Sequence, residues 1–461
     1  MEGVMATAAE RFAAFALELE LEAVPDEVIR AAKLHVLDVL GCGLAAHALG
    51  IASEGRTAMA ELGGETEATV IGLDRGLPAP NAAFANAMLC HGLDFDDTHS
   101  DSVSHVSTVV VPAAAALAEA RGATGRELLT AIVAGNEIVT RIGMATPGAF
   151  HERGFHPTAI CGIFAATAAA ARLGGLSPAD TASAIGIAGS MASGLFAYLD
   201  DATATKPIHP AWAAHGALVA ARLASLGAEG PPGVLEGRFG LYHAFVGTRI
   251  DLESQLADLG ERWETPRIAF KAFPACHFIH GSLGATASLR DEVDVDEVED
   301  ILVTLPEAGV SLVLEPAESK VAPRTDYEGK FSLQYSTAAM LVHGRVGLAT
   351  YTPEALADER VLGLARLVRY ETKEYASYPA AFPGGVRIGL RDGRTLEADF
   401  PYQLGAPENP MSEEQVRVKF RENAALAGGS FDELEQAVLD LERQDDAQAV
   451  MSPLARLAIP A

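Results

Sequence analysis

Strand-like alternation is confined to one internal stretch of this chain, and that confinement limits the fold more than any single motif does. Up to about residue 265, apolar residues recur at helical spacing and little strand pattern is present. The pattern changes at PRIAFKAFPACHF, which begins at Pro266. DILVTLPEAGVSLVL (300–314), RLVRYET (366–372) and GVRIGLRDGRTLEADF (385–400) then carry β-branched alternation, and the last reads as a hairpin turning at RDGR (391–394). Helical patterns at 278–291 and 330–344 sit among these strands without a strict βαβ rhythm, which points to α+β. From residue 411, MSEEQVRVKFRENA and FDELEQAVLDLE return to amphipathic helix. The expectation is a mainly α protein. A large all-helical domain is built from residues 1–266 plus 403–461, and a smaller α+β domain is inserted at 267–402.

Within the helical part, spacing predicts helices at 6–20, from Pro25 onward, and at 79–95, 106–121, 125–144, 158–174, 177–198 and 210–227. Thr124 and Glu127 form a capping-box pattern, and EATVIG (67–72) reads as a short strand or extended link. Charge narrows the possible partners. Lys+Arg is 34 and Asp+Glu is 62, a formal charge of −28, which repels nucleic acid and acidic membrane surfaces. The partner expected is instead a small molecule, and an anionic one would need a locally basic pocket. Four widely spaced cysteines without a CxxC argue against a disulfide framework. The acidic N-terminus lacks the basic region of a signal peptide, and no apolar run reaches a membrane span. A cytoplasmic location is expected.

The densest polar segment is HGLDFDDTHSDSVSH (91–105), with three histidines and four aspartates between apolar helical runs. Such a cluster is costly unless its groups are paired or functional. A carboxylate beside imidazoles suits proton transfer, with Asp94 orienting or tuning a histidine such as His105. Metal ligation and a purely structural network are the competing readings. The spacing matches neither HExxH nor an EF-hand loop. In GFHPTAICG (154–162), His156 precedes a helix whose N-terminal amides suit a carboxylate, or it simply marks helix entry. In ATKPIHPAWAAHG (204–216), Lys206 and His209 stand in a turn, where a solvated lysine is the bland alternative. FKAFPACHFIHG (270–281) groups Lys271, His277 and His280, with Cys276 beside them as a weak metal pattern. In GKFSLQYS (329–336), Tyr335 opens a buried helix, and core packing competes with a catalytic role. No GxGxxG, GxxxxGK[ST] or GxSxG pattern supports a nucleotide cofactor or serine-hydrolase chemistry.

Taken together, HGLDFDDTH, GFHPTA, TKPIHPAWAAHG, FPACHFIHG and KFSLQYS, in this order over residues 91–336, resemble the MmgE/PrpD family of 2-methylcitrate dehydratase, cis-aconitate decarboxylase and iminodisuccinate epimerase. The resemblance implies a large helical domain, a smaller α+β lid, a homodimer, a site in the cleft between domains, and no metal or organic cofactor. Residue by residue it places Asp94, Thr98, His105, His156, Lys206, His280 and Tyr335 at the site, with His277 less securely matched. The HSDSVS linker departs from the commoner family pattern, which bears on substrate identity. The implied chemistry is proton transfer at a carbon next to a carboxylate. His105 would be the base and Asp94 its orienter, Lys206 and the helix at His156 would hold carboxylates, and Tyr335 or His280 would be the opposing acid. Thr98, His277, His280 and Lys271 are expected to bind substrate. Dehydration of a 2-methylcitrate-like polycarboxylate is the first expectation, then epimerisation of an iminodisuccinate-like dicarboxylate, then decarboxylation of cis-aconitate. A binding protein without turnover is a further alternative.

Overall fold

A computed structural model describes residues 6–199, 203–455 and 457; the opening MEGVM of the N-terminal segment lies outside them. The chain divides into two compact units, Met1–Ile268 with Ser412–Ala461, and Ala269–Met411.

The first unit is helical, and its described residues hold isolated bridges but no strand. Helix α1 (Ala8–Glu18) opens on a capping box in which Thr7 and Glu10 satisfy each other's backbone donors. Helix α2 (Asp26–Ala48) is buried almost continuously from Val36 to His47. It is followed by α3 (Ala79–His91), α4 (Ser107–Arg121) and α5 (Gly125–Met144). The α5 start is the Thr124–Glu127 capping box expected from sequence: Glu127 N–H donates to Thr124 Oγ1 at 3.2 Å and Thr124 N–H to Glu127 Oε2 at 2.8 Å. Alanine-rich α6 (Pro157–Leu173) and α7 (Ile208–Ser225) complete the layers around the site. Small side chains let these backbones approach closely while still removing apolar surface from water. EATVIG contributes only the Ala68–Leu77 bridge. The helix expected at 177–198 stops at Ala188, and its remainder is turn, a Leu195–Phe155 bridge and a 3₁₀ turn at Phe196–Leu199.

The second unit holds α8 (His277–Leu289), β1 (Val298–Leu305), α9 (Leu333–His343), β2 (Val368–Thr372), β3 (Gly384–Leu390) and β4 (Thr395–Phe400). The sheet order is β2-β1-β3-β4, with β1 and β2 parallel and the remaining pairs antiparallel. The 385–400 hairpin is present, with Gly393 at φ 88° in its turn. The strand expected at 300–314 ends at Leu305, because Pro306 cannot donate to the ladder and a short helix follows at Val310–Val313. The unit extends beyond the expected residue 402. Gln403 Oε1 accepts from Phe382 N–H at 2.9 Å, and Phe270 N–H donates to Gly405 O at 3.2 Å, so residues 403–411 are tied into it.

The chain then returns to the first unit as α10 (Glu413–Ala425), which packs on α2. The approach is close at Gly41, where an added Cβ would stand 3.0 Å from Phe420. No single helix is long and apolar enough to cross a membrane among the described residues.

Candidate active site

The polar loop begins one turn earlier than helical spacing predicts. Helix α3 ends at His91, and Asp94 adopts φ 52°, a left-handed conformation that costs a non-glycine residue energy and that Asp tolerates better than most. Asp94 therefore does not share a helix face with His91, as the 79–95 helix would have required. From Asp94 to Asp97 the partners alternate. Asp94 and Asp96 meet histidines and a lysine, whereas Phe95 and Asp97 are held from behind. Asp97 Oδ1 accepts from the backbone N–H groups of Val106 (3.2 Å) and Ser107 (3.1 Å), capping the start of α4, and its Oδ2 lies 2.8 Å from His35 Nδ1. His99 and Ser104 pair across the loop, which brings His105 back to the cluster.

Asp96 is the hub. Its Oδ2 accepts from His91 Nδ1 at 2.8 Å and lies 3.2 Å from His105 Nδ1. Because an ionised carboxylate only accepts, Nδ1 of His91 carries its proton, and the neutral ring presents the Nε2 lone pair. His91 Nε2 and Asp96 Oδ1 are buried with no hydrogen-bond partner among the described residues. Asp94 Oδ1 pairs with Lys206 Nζ at 2.7 Å and lies 3.6 Å from His105 Nε2. His105 N–H donates to Thr158 Oγ1 at 3.0 Å, and Thr98 Oγ1 stands 3.5 Å from His105 Nδ1. His156 sits at the N-cap of α6, its Nδ1 3.2 Å from His209 Nδ1. The His91 ring centroid is 4.6 Å from that of His105 and 5.7 Å from that of His156.

The electrostatics follow from burial and neighbours. Burial raises the Asp96 carboxyl, but His91 and His105 outweigh it and hold the group well below the usual carboxylate range. Burial pushes His91 down to about 4 against the pull of Asp96, and pushes His209 down to about 4 with help from His91 and Lys206. His156 is held well below its ordinary value by burial, with Lys206 adding to the effect. Burial disfavours the Lys206 ammonium, yet Asp94 and Tyr198 reverse this and raise the group. At neutral pH the cluster thus combines uncharged His91, His156 and His209 with the Asp96 carboxylate and the Lys206 cation. One ring nitrogen from each of His91, His105 and His156 can be chosen so that the three lie within 4.8 Å of one another, close enough to serve a divalent ion. The Lys206 ammonium, which acts electrostatically on His91 and His156, opposes a second cation there.

The first unit therefore brings together Asp94, Thr98, His105, His156 and Lys206. It also adds three residues that sequence reasoning missed or set aside. Asp96, rather than Asp94, orients His105. His91, which the resemblance did not place at the site, lies at the centre, and His209 backs His156.

Lys271, His277 and His280 lie in the second unit. The rings of His277 and His280 lie 4.7 Å apart at the start of α8, His277 stacks on Phe382, and His280 Nε2 is 3.2 Å from Ala275 O. Lys271 is buried. Tyr335 does not fit the expected role of proton donor. It is 1% exposed within the second unit's apolar core, and its hydroxyl lies 2.7 Å from Ala355 O and 3.1 Å from Thr350 O. A phenol whose one proton serves backbone carbonyls has none to offer a substrate.

Comparison with known proteins gives the family. The chain is 30% identical to the cis-aconitate decarboxylase of Homo sapiens, with 96% of this chain and 94% of that protein covered. It is 28% identical to the cis-aconitate decarboxylase-like protein oryM of Aspergillus oryzae, covering 94% of each. It is 24% identical to the mitochondrial 2-methylcitrate dehydratase of Yarrowia lipolytica, covering 90% of this chain and 83% of that one. Residues 10–253 match the MmgE/PrpD N-terminal domain and residues 273–444 the MmgE/PrpD C-terminal domain. With both domains matched in order along most of its length, the chain belongs to the MmgE/PrpD family.

Proposed function

We propose that this protein is a cofactor-independent lyase that acts on a small di- or tricarboxylate, with decarboxylation of a cis-aconitate-like acid as its reaction. The observation that carries the proposal is the Asp96 hub: one buried carboxylate orients His91 and His105, and His105 Nε2 lies 3.6 Å from the Asp94 oxygen that pairs with Lys206. In this scheme Lys206 and the α6 N-terminus hold substrate carboxylates. Breaking the C–C bond to CO₂ leaves an electron pair on the remaining carbon skeleton. His105, protonated by solvent to the imidazolium between turnovers, delivers the proton that closes that valence and is left as the neutral imidazole. Decarboxylation moves ahead of the dehydration expected from sequence because the decarboxylase relatives are the more similar ones, at 28–30% against 24%. Dehydration is the second reading, favoured by the 2-methylcitrate dehydratase relative. It would use the same groups, with an imidazole taking the proton and a cationic group easing hydroxide loss.

Proton NMR in D₂O, with cis-aconitate and 2-methylcitrate offered separately, tests the choice. Loss of CO₂ with one deuterium in the new C–H bond is the result expected from cis-aconitate. Water loss from 2-methylcitrate alone would replace the decarboxylase reading by the dehydratase one. Binding of both acids without turnover of either would overturn the enzyme assignment.

A further inference from the structure

The loop that carries Asp94 and Asp96 has a second face, and that face is gripped by a residue 324 positions away in sequence. Lys419, on α10, is a buried ammonium with a carboxylate, a carbonyl and an aromatic ring around it. It lies 2.7 Å from Asp38 Oδ1 on α2, donates to the Phe95 carbonyl at 2.8 Å, and stands 3.8 Å from the centre of the Phe95 ring. The Lys419 side chain is 6% exposed and that of Asp38 1%. Burying such a pair is costly, and a salt bridge alone is a poor reason to keep one. The contact to Phe95 supplies a better reason. Phe95 follows directly on the left-handed Asp94, in a loop where a buried carbonyl has no ladder partner to fall back on. Lys419 satisfies that carbonyl and fixes the ring beside it, so the peptide between Asp94 and Asp96 cannot rotate freely. The Gly41–Phe420 approach brings α10 near enough to α2 for the lysine to reach both.

We propose that Lys419 is a positioning residue for the active site. Acting through Phe95, it holds Asp94 in the conformation that pairs with Lys206 and keeps Asp96 between His91 and His105. The inference rests on the reading that Asp94 and Asp96 belong to the reactive site. Asp38 has the subordinate role of counter-ion.

Lys419→Met and Asp38→Asn break the same ion pair, but only the first releases Phe95. With turnover of cis-aconitate as readout, at a temperature where thermal melts show both variants folded, K419M is expected to lose about 100-fold in kcat, the scale of a small misplacement. D38N is expected to stay within about threefold, and K419R to recover part of the loss by donating to the same carbonyl. Equal losses in K419M and D38N, or wild-type kcat in K419M, would overturn the proposal. Should K419M fail to fold, the D38N/K419M double variant removes both buried charges together and carries the same test, with wild-type kcat as the overturning result. Asp94→Asn is the separate control. Full turnover in D94N would remove Asp94 from the site and defeat the underlying reading, whatever Lys419 does.

Discussion

Two histidine clusters in this molecule look alike in sequence and differ in physical setting. Each has at least two imidazoles within reach of a helix start. In the first unit, His91 and His105 point Nδ1 at a buried carboxylate, and His91 Nε2 and Asp96 Oδ1 have no protein partner among the described residues. In the second unit, His277 and His280 pack against Phe382 and Phe273, and His280 contacts a backbone carbonyl. The first setting spends electrostatic energy on orienting rings that still have a valence to offer. The second sets its rings against aromatic faces. The difference on view is the buried carboxylate at Nδ1 in the first cluster, which residue type alone does not report.

The contrast can be broken most decisively at Asp96. Asp96→Asn leaves a neutral amide facing two imidazoles, and turnover is expected to fall by about 1,000-fold, within the range for loss of an oriented acid–base group. A steady-state assay that found Asp96 dispensable would place the first cluster alongside the second. Next in size, Lys206→Met is expected to weaken polycarboxylate binding about 10- to 100-fold, the scale of one charge-assisted contact, and calorimetric titration measures it directly. The Lys206 side chain is 18% exposed and paired with Asp94, so losing its charge should also lower the thermal midpoint.

Acid sensitivity sharpens the comparison further. Burial lowers the folded values of His91, His99 and His209 to about 4, and that of His156 further. Between about 6.5 and about 4 the unfolded chain therefore takes up protons that the folded chain refuses, and stability falls as pH drops. Asp38 and Glu137, both raised to about 6 by burial, act in the opposite sense over the lower part of that window. The lowered histidines, which also include His151 and His215, outnumber the raised carboxylates, so a net loss is expected that denaturant midpoints of the first unit between pH 6.5 and 4 would register. A rise in stability over that range would contradict the neutral-imidazole picture. The smallest effect is expected in the second unit. Tyr335→Phe removes a hydrogen bond worth about 1 kcal/mol and should leave kcat within about threefold. A loss comparable with that of Asp96→Asn would return Tyr335 to the catalytic set.

How much of this was legible in the sequence depended on how local the cause was. Capping boxes and the RDGR hairpin are settled by residues within a few positions of one another, and Thr124–Glu127 and 385–400 appear where the pattern puts them. The internal change from helical to strand pattern was also visible, because the second unit's strands keep their alternation. The end of α3 was not visible, since ANAMLCHGLDF stays apolar at helical spacing past the point where the backbone turns. The ranking of Asp96 over Asp94 was hidden because it depends on which side of the loop two helices occupy. Lys419 could not be found by any motif: in VRVKFREN it reads as one more charge on an amphipathic helix.

The grip of α10 on the Phe95 carbonyl also sets an order of events during synthesis. A ribosome adding about 5–20 residues per second needs roughly 16 to 65 s to pass from Phe95 to Lys419. Once His209 has been added, the nascent chain contains every residue of the Asp96 cluster but still lacks the lysine that backs it. The site's geometry is therefore completed by a helix made about 200 residues later, so an unfinished chain would carry the chemistry's parts without their alignment.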